Sequence, residues 1–301
     1  MSGLIVGLDI GATKILGVVA TPEGEVVAEV RAGSPAGGDH VVAAAADVVA
    51  RLRSASGERL DGVVGVGIPG LVDTAQGTVR HAVNLGVDDG FPFSARLGTA
   101  TGMRVVLDND ANAAARGATT LVGHQDLVYL SIGTGLAAAT VLDGVLRRGA
   151  RNAAGEIGHI PVDPQGPACE CGQVGCLETV ASGSALAALW PSTDQPPAQA
   201  LFHAAAAGDR KAIDVRDRFA GHLADAVRLI ALTVDPEVVV LGGGVAGVGE
   251  PLRVSVALAL ADQATGSPFL ASLDLAGRVR LVPQHVPVAA LGAALLGRDD
   301  A

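Results

Sequence analysis

The stretch Leu4-Ile5-Val6-Gly7-Leu8-Asp9-Ile10-Gly11-Ala12-Thr13-Lys14 predicts an apolar strand that ends in a glycine turn. A returning strand is expected over residues 15–20 and a third over 25–32, so the chain begins as an antiparallel meander. The same order returns at Leu127–Ile132, Gly133-Thr134-Gly135 and residues 137–142. The two openings are only weakly identical, but their shared order of elements favours a duplicated, two-lobed α/β architecture.

Outside the two openings, helical and strand patterns alternate, as an α/β protein requires. Apolar residues at spacings of three and four predict a long helix over 210–233, and an alanine-rich run behind an Asn/Asp cap predicts another over 111–121. Further helices are expected over 41–52, 184–190 and 288–296, and further strands over 63–66, 104–107 and 237–241. The proline-containing segment 191–197 predicts a loop.

The composition argues against a membrane-spanning protein and against a nucleic-acid-binding protein. The chain has 301 residues, enough for two domains with separate cores, and 49% of them are apolar but only 2% aromatic. The mean hydropathy is +0.43, yet Gly, Thr, Ser or a charge interrupts each apolar run before it reaches the length of a membrane span. The net charge of −10 argues against a broad surface for nucleic acid.

All three cysteines lie within Cys169-Glu170-Cys171-Gly172-Gln173-Val174-Gly175-Cys176, and His159 stands just upstream. Four such ligands suit a closed, structural Zn²⁺ site, in which Gly172 and Gly175 would allow the tight turns. A disulfide with one free thiol, or three reduced buried thiols, are the alternatives. The first residues lack the basic region and cleavage site of a signal peptide. We therefore expect a cytoplasmic protein with reduced thiols, and zinc is the favoured interpretation.

Three glycine-rich turns follow apolar strands, at residues 9–14, 133–135 and 242–244. Their small residues would let backbone N–H groups approach an anion closely. Asp9 would then hold a Mg²⁺-bound water, while Thr13, Lys14 and Thr134 would donate hydrogen bonds to phosphate oxygens. Each turn alone is more typical of a hairpin or a helix entry. Three together favour a nucleotide site, although neither the P-loop nor the Rossmann spacing fits.

Asp110 follows a predicted strand and precedes a predicted helix. An Asp in that position is most often a plain N-cap. The carboxyl ends of strands are also where α/β proteins place ligand groups, and a carboxylate there could accept the proton of a sugar hydroxyl that attacks phosphorus. The local sequence supports these two interpretations equally.

Together these motifs resemble the ROK family (repressors, open reading frames and sugar kinases), within the actin-like ATPase and hexokinase superfamily. The most specific part is Gly155-Glu156-Ile157-Gly158-His159, continuing through the cysteines to Leu177-Glu178. The turn at 9–14, Asn109-Asp110-Ala111-Asn112 and the Gly242 turn support it, and the match covers nearly the whole chain.

The resemblance implies an α/β, two-lobed actin-like ATPase fold, which is a duplicated ribonuclease H-like fold with an interdomain cleft. A smaller N-terminal lobe would span residues 1–120 and be completed by a C-terminal helix at about 288–301. A larger C-terminal lobe, residues 121–287, would carry the zinc-binding loop.

The resemblance also implies roles for individual residues. Asp110 would be the catalytic base for the 6-hydroxyl of a hexose. The sugar-binding residues would be Asn109, Asp110, Glu156, His159 and Glu178, and the zinc ligands would be His159, Cys169, Cys171 and Cys176. Mg²⁺ with ATP would be bound by Asp9, Gly11, Thr13, Lys14, Gly133 and Thr134 at the phosphates and by Gly242 and Gly243 at the adenosine. Family members are commonly dimers, so a homodimer is expected.

The expected activity is ATP-dependent phosphorylation of a hexose, with glucose as the first expectation. An N-acetylhexosamine (GlcNAc or ManNAc) kinase is the alternative enzyme, because the same hydroxyl-binding set serves both. A regulator of this family would carry a winged-helix domain, for which no room is expected before Leu4. A non-catalytic sugar sensor stays open, because Ala137-Ala138-Ala139 stands where family kinases carry further glycines. The sequence names neither the hexose nor the donor, ATP or polyphosphate.

Overall fold

The computed structural model describes residues 3–57, 60, 62–283 and 285–299. The predicted lobes also include eight residues that lie outside the described ones: Met1, Ser2, Glu58, Arg59, Asp61, Gln284, Asp300 and Ala301. The strands are β1 (Ile5–Ile10), β2 (Lys14–Ala20), β3 (Val26–Gly33), β4 (Val63–Ile68), β5 (Leu71–Asp73), β6 (Thr78–Arg80), β7 (Arg104–Asn109), β8 (Leu127–Ile132), β9 (Leu136–Leu142), β10 (Val145–Leu146), β11 (Val238–Gly242) and β12 (Val279–Leu281). The α-helices are α1 (Gly38–Ser56), α2 (Phe93–Thr101), α3 (Asp110–Val122), α4 (Glu178–Ala181), α5 (Gly183–Leu189), α6 (Pro197–Ala206), α7 (Arg210–Val234), α8 (Glu250–Ala264), α9 (Pro268–Ser272), α10 (Leu275–Arg278) and α11 (Val288–Asp299).

The chain divides into two compact units. The first comprises Met1–Gly123, Leu146–Ala154 and His285–Ala301, and the second comprises His124–Val145 and Gly155–Gln284. The predicted lobe 121–287 included Leu146–Ala154, which the structure assigns to the first unit. The physical reason is an ion pair, because Arg148 of this segment binds the buried carboxylate of Asp108.

The two main sheets repeat one topology. Their strand orders are β3-β2-β1-β4-β7 and β10-β9-β8-β11-β12. In the first, β1 runs antiparallel to β2 and parallel to β4. In the second, β8 runs antiparallel to β9 and parallel to β11. The duplicated α/β architecture predicted from the two openings is therefore confirmed.

The side chains on the two faces of β1 pack against different helices. Val6 and Leu8 belong to one buried cluster with residues of α1, whereas Ile5 packs with Leu291 and Leu295 of α11. Successive strand side chains point to opposite faces, so helices cover both faces of this sheet. Helix α11 lies very close to β4, since a Cβ at Gly65 would overlap the carbonyl oxygen of Ala293.

The second unit has its own core, in which β8 packs with the long amphipathic helix α7. Helix α7 begins after Asp209, whose carboxylate accepts a hydrogen bond from the backbone N–H of Ala212 at 3.0 Å, as an N-cap does. Helix α6 had no counterpart among the predicted elements. It begins at Pro197, the last residue of the predicted loop. Proline suits the first turn of a helix because the backbone N–H that it lacks would have no partner within the helix there.

Within the described residues, no helix has both the length and the apolar character that crossing a bilayer requires.

Candidate active site

The parallel strands β1 and β7 of the first unit, on either side of β4, place polar residues at one edge of the sheet. Asp9 on β1 pairs in register with Gly67 on β4, which pairs with Asp108 on β7. The carboxyl ends of parallel strands are the usual location of ligand groups in α/β proteins. Asn109 and Asp110 follow Asp108 directly, so both predicted residues lie at this edge.

Asn109 and Asp110 have different local roles. Asn109 caps helix α3, since its Oδ1 accepts the backbone N–H of Ala111 at 2.8 Å, and its Nδ2 donates to the carbonyl of Gly70 at 3.1 Å. Asp110 is the first helical residue and its Oδ1 also accepts the Ala111 N–H, at 2.8 Å. The cap is therefore Asn109, and the interpretation of Asp110 as a plain N-cap is wrong.

The carboxyl groups of Asp9 and Asp110 both have raised pKa values. Burial, and then the negative charge of Asp110, raise the pKa of Asp9 to about 6, and Lys14 opposes this shift. Burial also raises the pKa of Asp110, against the hydrogen bonds from Ala111 and Asn109. Two neighbouring carboxylates held in this way form a site that favours a cation or a proton.

Asp108 directly precedes Asn109 on β7 and is almost completely buried, with 2% of its side chain exposed. Its Oδ2 accepts hydrogen bonds from Arg148 Nε at 2.8 Å and Nη2 at 2.6 Å. Its Oδ1 accepts the backbone N–H of Asn109 and the Nδ2 of Asn112, each at 2.8 Å. Every oxygen of this buried carboxylate is thus hydrogen-bonded, as a buried charge requires.

In the second unit, neighbouring elements hold the turn Gly133-Thr134-Gly135 by its backbone. The N–H of Gly183 donates to the Gly133 carbonyl at 2.7 Å, and the N–H of Ser184 to the Thr134 carbonyl at 3.3 Å. Glu178 Oε2 accepts the N–H of Leu136 at 3.0 Å. The turn is therefore fixed before any ligand arrives, which lowers the entropic cost of binding an anion there.

The segment Gly155-Glu156-Ile157-Gly158-His159 runs along β9. A Cβ at Gly155 would overlap the Ala138 carbonyl oxygen, and one at Gly158 would overlap the Leu136 carbonyl oxygen. Both positions therefore need glycine for close backbone approach. The segment ends in a short 3₁₀ helix, Ile157–His159, which sets the position of the His159 ring.

The four predicted metal ligands come together. The ligand atoms of His159, Cys169, Cys171 and Cys176 lie within 4.8 Å of one another. Cys169 Sγ is 3.7 Å from His159 Nδ1, and Cys171 Sγ is 3.6 Å from Cys176 Sγ. Sulfur ligands about 2.3 Å from a tetrahedral Zn²⁺ are about 3.8 Å apart, so these residues fit the ion.

Gln173, which the sequence reasoning did not single out, supports this cluster. Its Nε2 donates to the His159 carbonyl at 2.9 Å and lies 3.3 Å from Cys171 Sγ. This amide lowers the pKa of the Cys171 thiol to about 6. A polar residue between two cysteines was the only signal in the sequence for this role.

Tyr129, the single tyrosine of the chain, supports the third glycine turn. Its hydroxyl accepts the backbone N–H of Gly243 at 3.1 Å. A Cβ at Gly242 would overlap this hydroxyl, so glycine is required beside the ring. Since β11 pairs with β8, the turn after Gly242 begins next to Ser131, just before the Gly133 turn.

Comparison with known proteins identifies the family. Residues 5–296 match the ROK family. The chain is 31% identical to the glucokinase of Thermotoga maritima, over 94% of this chain and 98% of that one. It is 34% identical to an N-acetylmannosamine kinase of Yersinia pseudotuberculosis, over 79% and 82%. The crystal structure of a ROK family glucokinase from Streptomyces griseus in complex with glucose and AMPPNP is 31% identical, with a TM-score of 0.83 and coverage of 99% and 100%.

The chain belongs to the ROK family. It is a sugar kinase with the two-lobed actin-like ATPase fold, as the motifs of the sequence predicted.

The predicted ROK site residues fall into two groups in the structure. The first unit contains Asp9, Gly11, Thr13, Lys14, Asn109 and Asp110, and the second contains Gly133, Thr134, Glu156, His159, Cys169, Cys171, Cys176, Glu178, Gly242 and Gly243. Sequence reasoning missed the supporting residues Asp108, Arg148 and Tyr129. Asp108 carried a weak signal, since it precedes the Asn109-Asp110 motif directly.

Proposed function

We propose that this ROK kinase transfers the γ-phosphoryl group of ATP to the 6-hydroxyl of glucose, with Asp110 as the general base. The observation that carries the proposal is the setting of Asp110, which lies at the end of a parallel strand and on the first turn of α3, beside Asp9. Its carboxylate is partly buried and is held by the backbone of the helix, which is how a positioned proton acceptor is built.

The proposed reaction forms one bond, breaks one bond and transfers one proton. The sugar oxygen attacks the γ-phosphorus, the bond from that phosphorus to the bridging oxygen breaks, and ADP leaves with the electron pair. Asp110 accepts the hydroxyl proton. Because the transition state is loose, the proton leaves late, and the main tasks of the protein are positioning and charge stabilisation.

Besides Asp110, four side chains are proposed to hydrogen-bond the sugar. The Asn109 amide uses one N–H on Gly70 and its oxygen on the helix cap, so its second N–H is left for a hydroxyl. Glu178 uses Oε2 on Leu136, and its Oε1 lies 3.9 Å from Cys169 Sγ. A zinc-bound thiolate has no proton to donate, so Oε1 would then accept from a sugar hydroxyl. Glu156 and His159 complete the proposed set, and each good pair contributes about 0.5–1.5 kcal/mol, more for charged groups.

The glycine turns are proposed to hold Mg-ATP. Gly11, Thr13, Gly133 and Thr134 would bind the phosphates, and Lys14 would add a positive charge. Asp9 would hold a water of the Mg²⁺ ion, and its raised pKa fits a buried carboxylate whose negative charge a nearby cation would stabilise. Gly242 and Gly243 would approach the adenosine.

A structural Zn²⁺ is proposed for His159, Cys169, Cys171 and Cys176. When bound, the ion orders the loop and fixes the tautomer of His159. His159 Nδ1 faces the sulfurs, and Nε2 is then the nitrogen that would face the sugar. Reduced thiols are needed for this site, which agrees with the proposed cytoplasmic location.

A homodimer is also proposed, on the strength of the family resemblance. Ile160, Val162 and Leu232 lie around one groove of the second unit, and each is more than a third exposed. We expect Leu232→Glu to yield a monomer if this groove lies in the interface, and light scattering coupled to size-exclusion chromatography measures the mass. An unchanged dimer would place the interface elsewhere.

An N-acetylhexosamine kinase is the second candidate function, favoured by the 34% identity to the N-acetylmannosamine kinase. A non-catalytic sensor is less well supported. The Ala137–Ala139 segment raised this alternative, but the Ala138 side chain is accommodated in the core of the second unit with 5% exposure.

The deciding experiment measures ADP release from Mg-ATP with glucose, mannose, fructose, N-acetylglucosamine and N-acetylmannosamine. The proposal expects the highest kcat/KM for glucose. A higher value for N-acetylmannosamine would replace it with the second candidate. Sugar binding measured by calorimetry without turnover on any sugar, with ATP or polyphosphate as donor, would show a sensor.

A further inference from the structure

A buried ion pair joins the strand that ends at Asp110 to a segment distant in sequence. Arg148 binds Asp108 through two nitrogens, at 2.8 and 2.6 Å. Such a fork fixes direction as well as distance, which a lysine in the same place would not do. Asp108 is 2% exposed and Arg148 is 32% exposed, so water reaches the ion pair from the Arg148 side.

A short chain of hydrogen bonds leads from this pair to Asp110. The Asp108 Oδ1 holds the backbone N–H of Asn109 and the side chain of Asn112. Asn109 in turn caps α3 through the N–H groups of Ala111 and Asn112. Asp110 lies between these residues, so its backbone is held by partners on both sides.

The segment that contains Arg148 leads directly to proposed sugar-binding residues. Its segment, Leu146–Ala154, belongs to the first unit, and the chain continues directly into Gly155 and Glu156 of the sugar-binding motif. The ion pair therefore anchors the residues that lead into that motif to the strand that carries the proposed base.

We propose that Arg148 is a positioning residue for Asp110. Through Asp108 it fixes the strand end and the first turn of α3, and so sets the direction in which the Asp110 carboxylate points. The inference rests on the proposed role of Asp110 as the base and adds a residue that acts through Asp108.

The test compares Arg148→Met, Arg148→Lys and the control Arg151→Met, an exposed arginine of the same segment. We expect Arg148→Met to lower kcat by about tenfold to a hundredfold, because small displacements of a reacting group have effects of that size. Arg148→Lys keeps the charge without the fork, so its loss should be smaller, about three- to tenfold. The glucose Kd should stay within about threefold in Arg151→Met, and in the Arg148 variants it should change less than kcat, since most of the loss lies in the transition state.

A second readout does not depend on activity. Hydrogen exchange of the peptide spanning 104–116 reports the amides of Ala111 and Asn112, and we expect lost protection in Arg148→Met but not in Arg151→Met. If wild-type protein phosphorylated no sugar, the proposed function would fail while this measurement still tested the positioning. If Arg148→Met did not fold, Arg148→Lys would carry the test.

Two outcomes would overturn the inference. One is a lower melting temperature with wild-type kcat and wild-type exchange, which would make the pair purely structural. The other is an equal fall of kcat in Arg151→Met, which would make the effect a general one of charge in this segment.

Discussion

Replacing Asp9 by asparagine should make the ligand-free protein more stable while lowering its activity. Burial and the nearby charge of Asp110 raise the pKa of Asp9 from 3.8 to about 6. The folded state therefore holds a proton between about pH 4 and pH 6 that the unfolded chain has released. Stability is lost as the pH rises through this window, and above it the charged Asp9 costs the fold free energy.

The magnitude follows from the two pKa values. A difference of one unit between the folded and unfolded pKa corresponds to about 1.36 kcal/mol of stability. The charged Asp9 carboxylate therefore costs at most about 3 kcal/mol near neutral pH. Asp9→Asn should recover up to this amount above about pH 7 and nothing below about pH 4. Asparagine cannot replace the carboxylate near Mg²⁺, so the gain in stability should accompany a loss of turnover.

Urea unfolding at several pH values measures this effect. Circular dichroism follows both units, while the fluorescence of Trp190, the single tryptophan, follows the second unit as an internal reference. Asp88→Asn, at an exposed carboxylate of the first unit, is the matched control and should show no gain. A gain for Asp9→Asn that is equal at acid and neutral pH would refute the electrostatic argument.

Three further predictions concern single side chains. Asp110→Asn should lower kcat by about 10²–10⁴ while calorimetry still detects sugar binding; near-normal turnover would remove Asp110 from its role. Tyr129→Phe removes the acceptor for the Gly243 N–H and should raise the KM for ATP about fivefold with no change in the KM for glucose; equal changes in both would contradict a local effect. Cys176→Ser should abolish stoichiometric zinc, measured by elemental analysis, and weaken glucose binding; full zinc content would exclude Cys176 as a ligand.

The sequence predicted elements whose patterns are local. The long apolar periodicity of α7, the glycine turns and the Cys/His cluster each lie within one continuous stretch, and all three appear in the structure. The strands β5 and β6 were missed, because three residues each are too few to show an alternating pattern.

Pairings across long distances along the chain could not be predicted. Arg148 and Asp108 are 40 residues apart, and nothing in an isolated arginine indicates which carboxylate it binds. The same limit explains why Leu146–Ala154 was placed with the wrong lobe. Only its contacts with residues of the first unit reveal its membership.

The position of helix α11 has a consequence for biosynthesis. This helix packs on β1, β4 and α3 of the first unit, yet the ribosome makes it after every residue of the second unit. Domains usually fold in the order in which they emerge. In this chain the order should be reversed, because the surfaces of β1, β4 and α3 that α11 covers stay exposed until α11 has been synthesised.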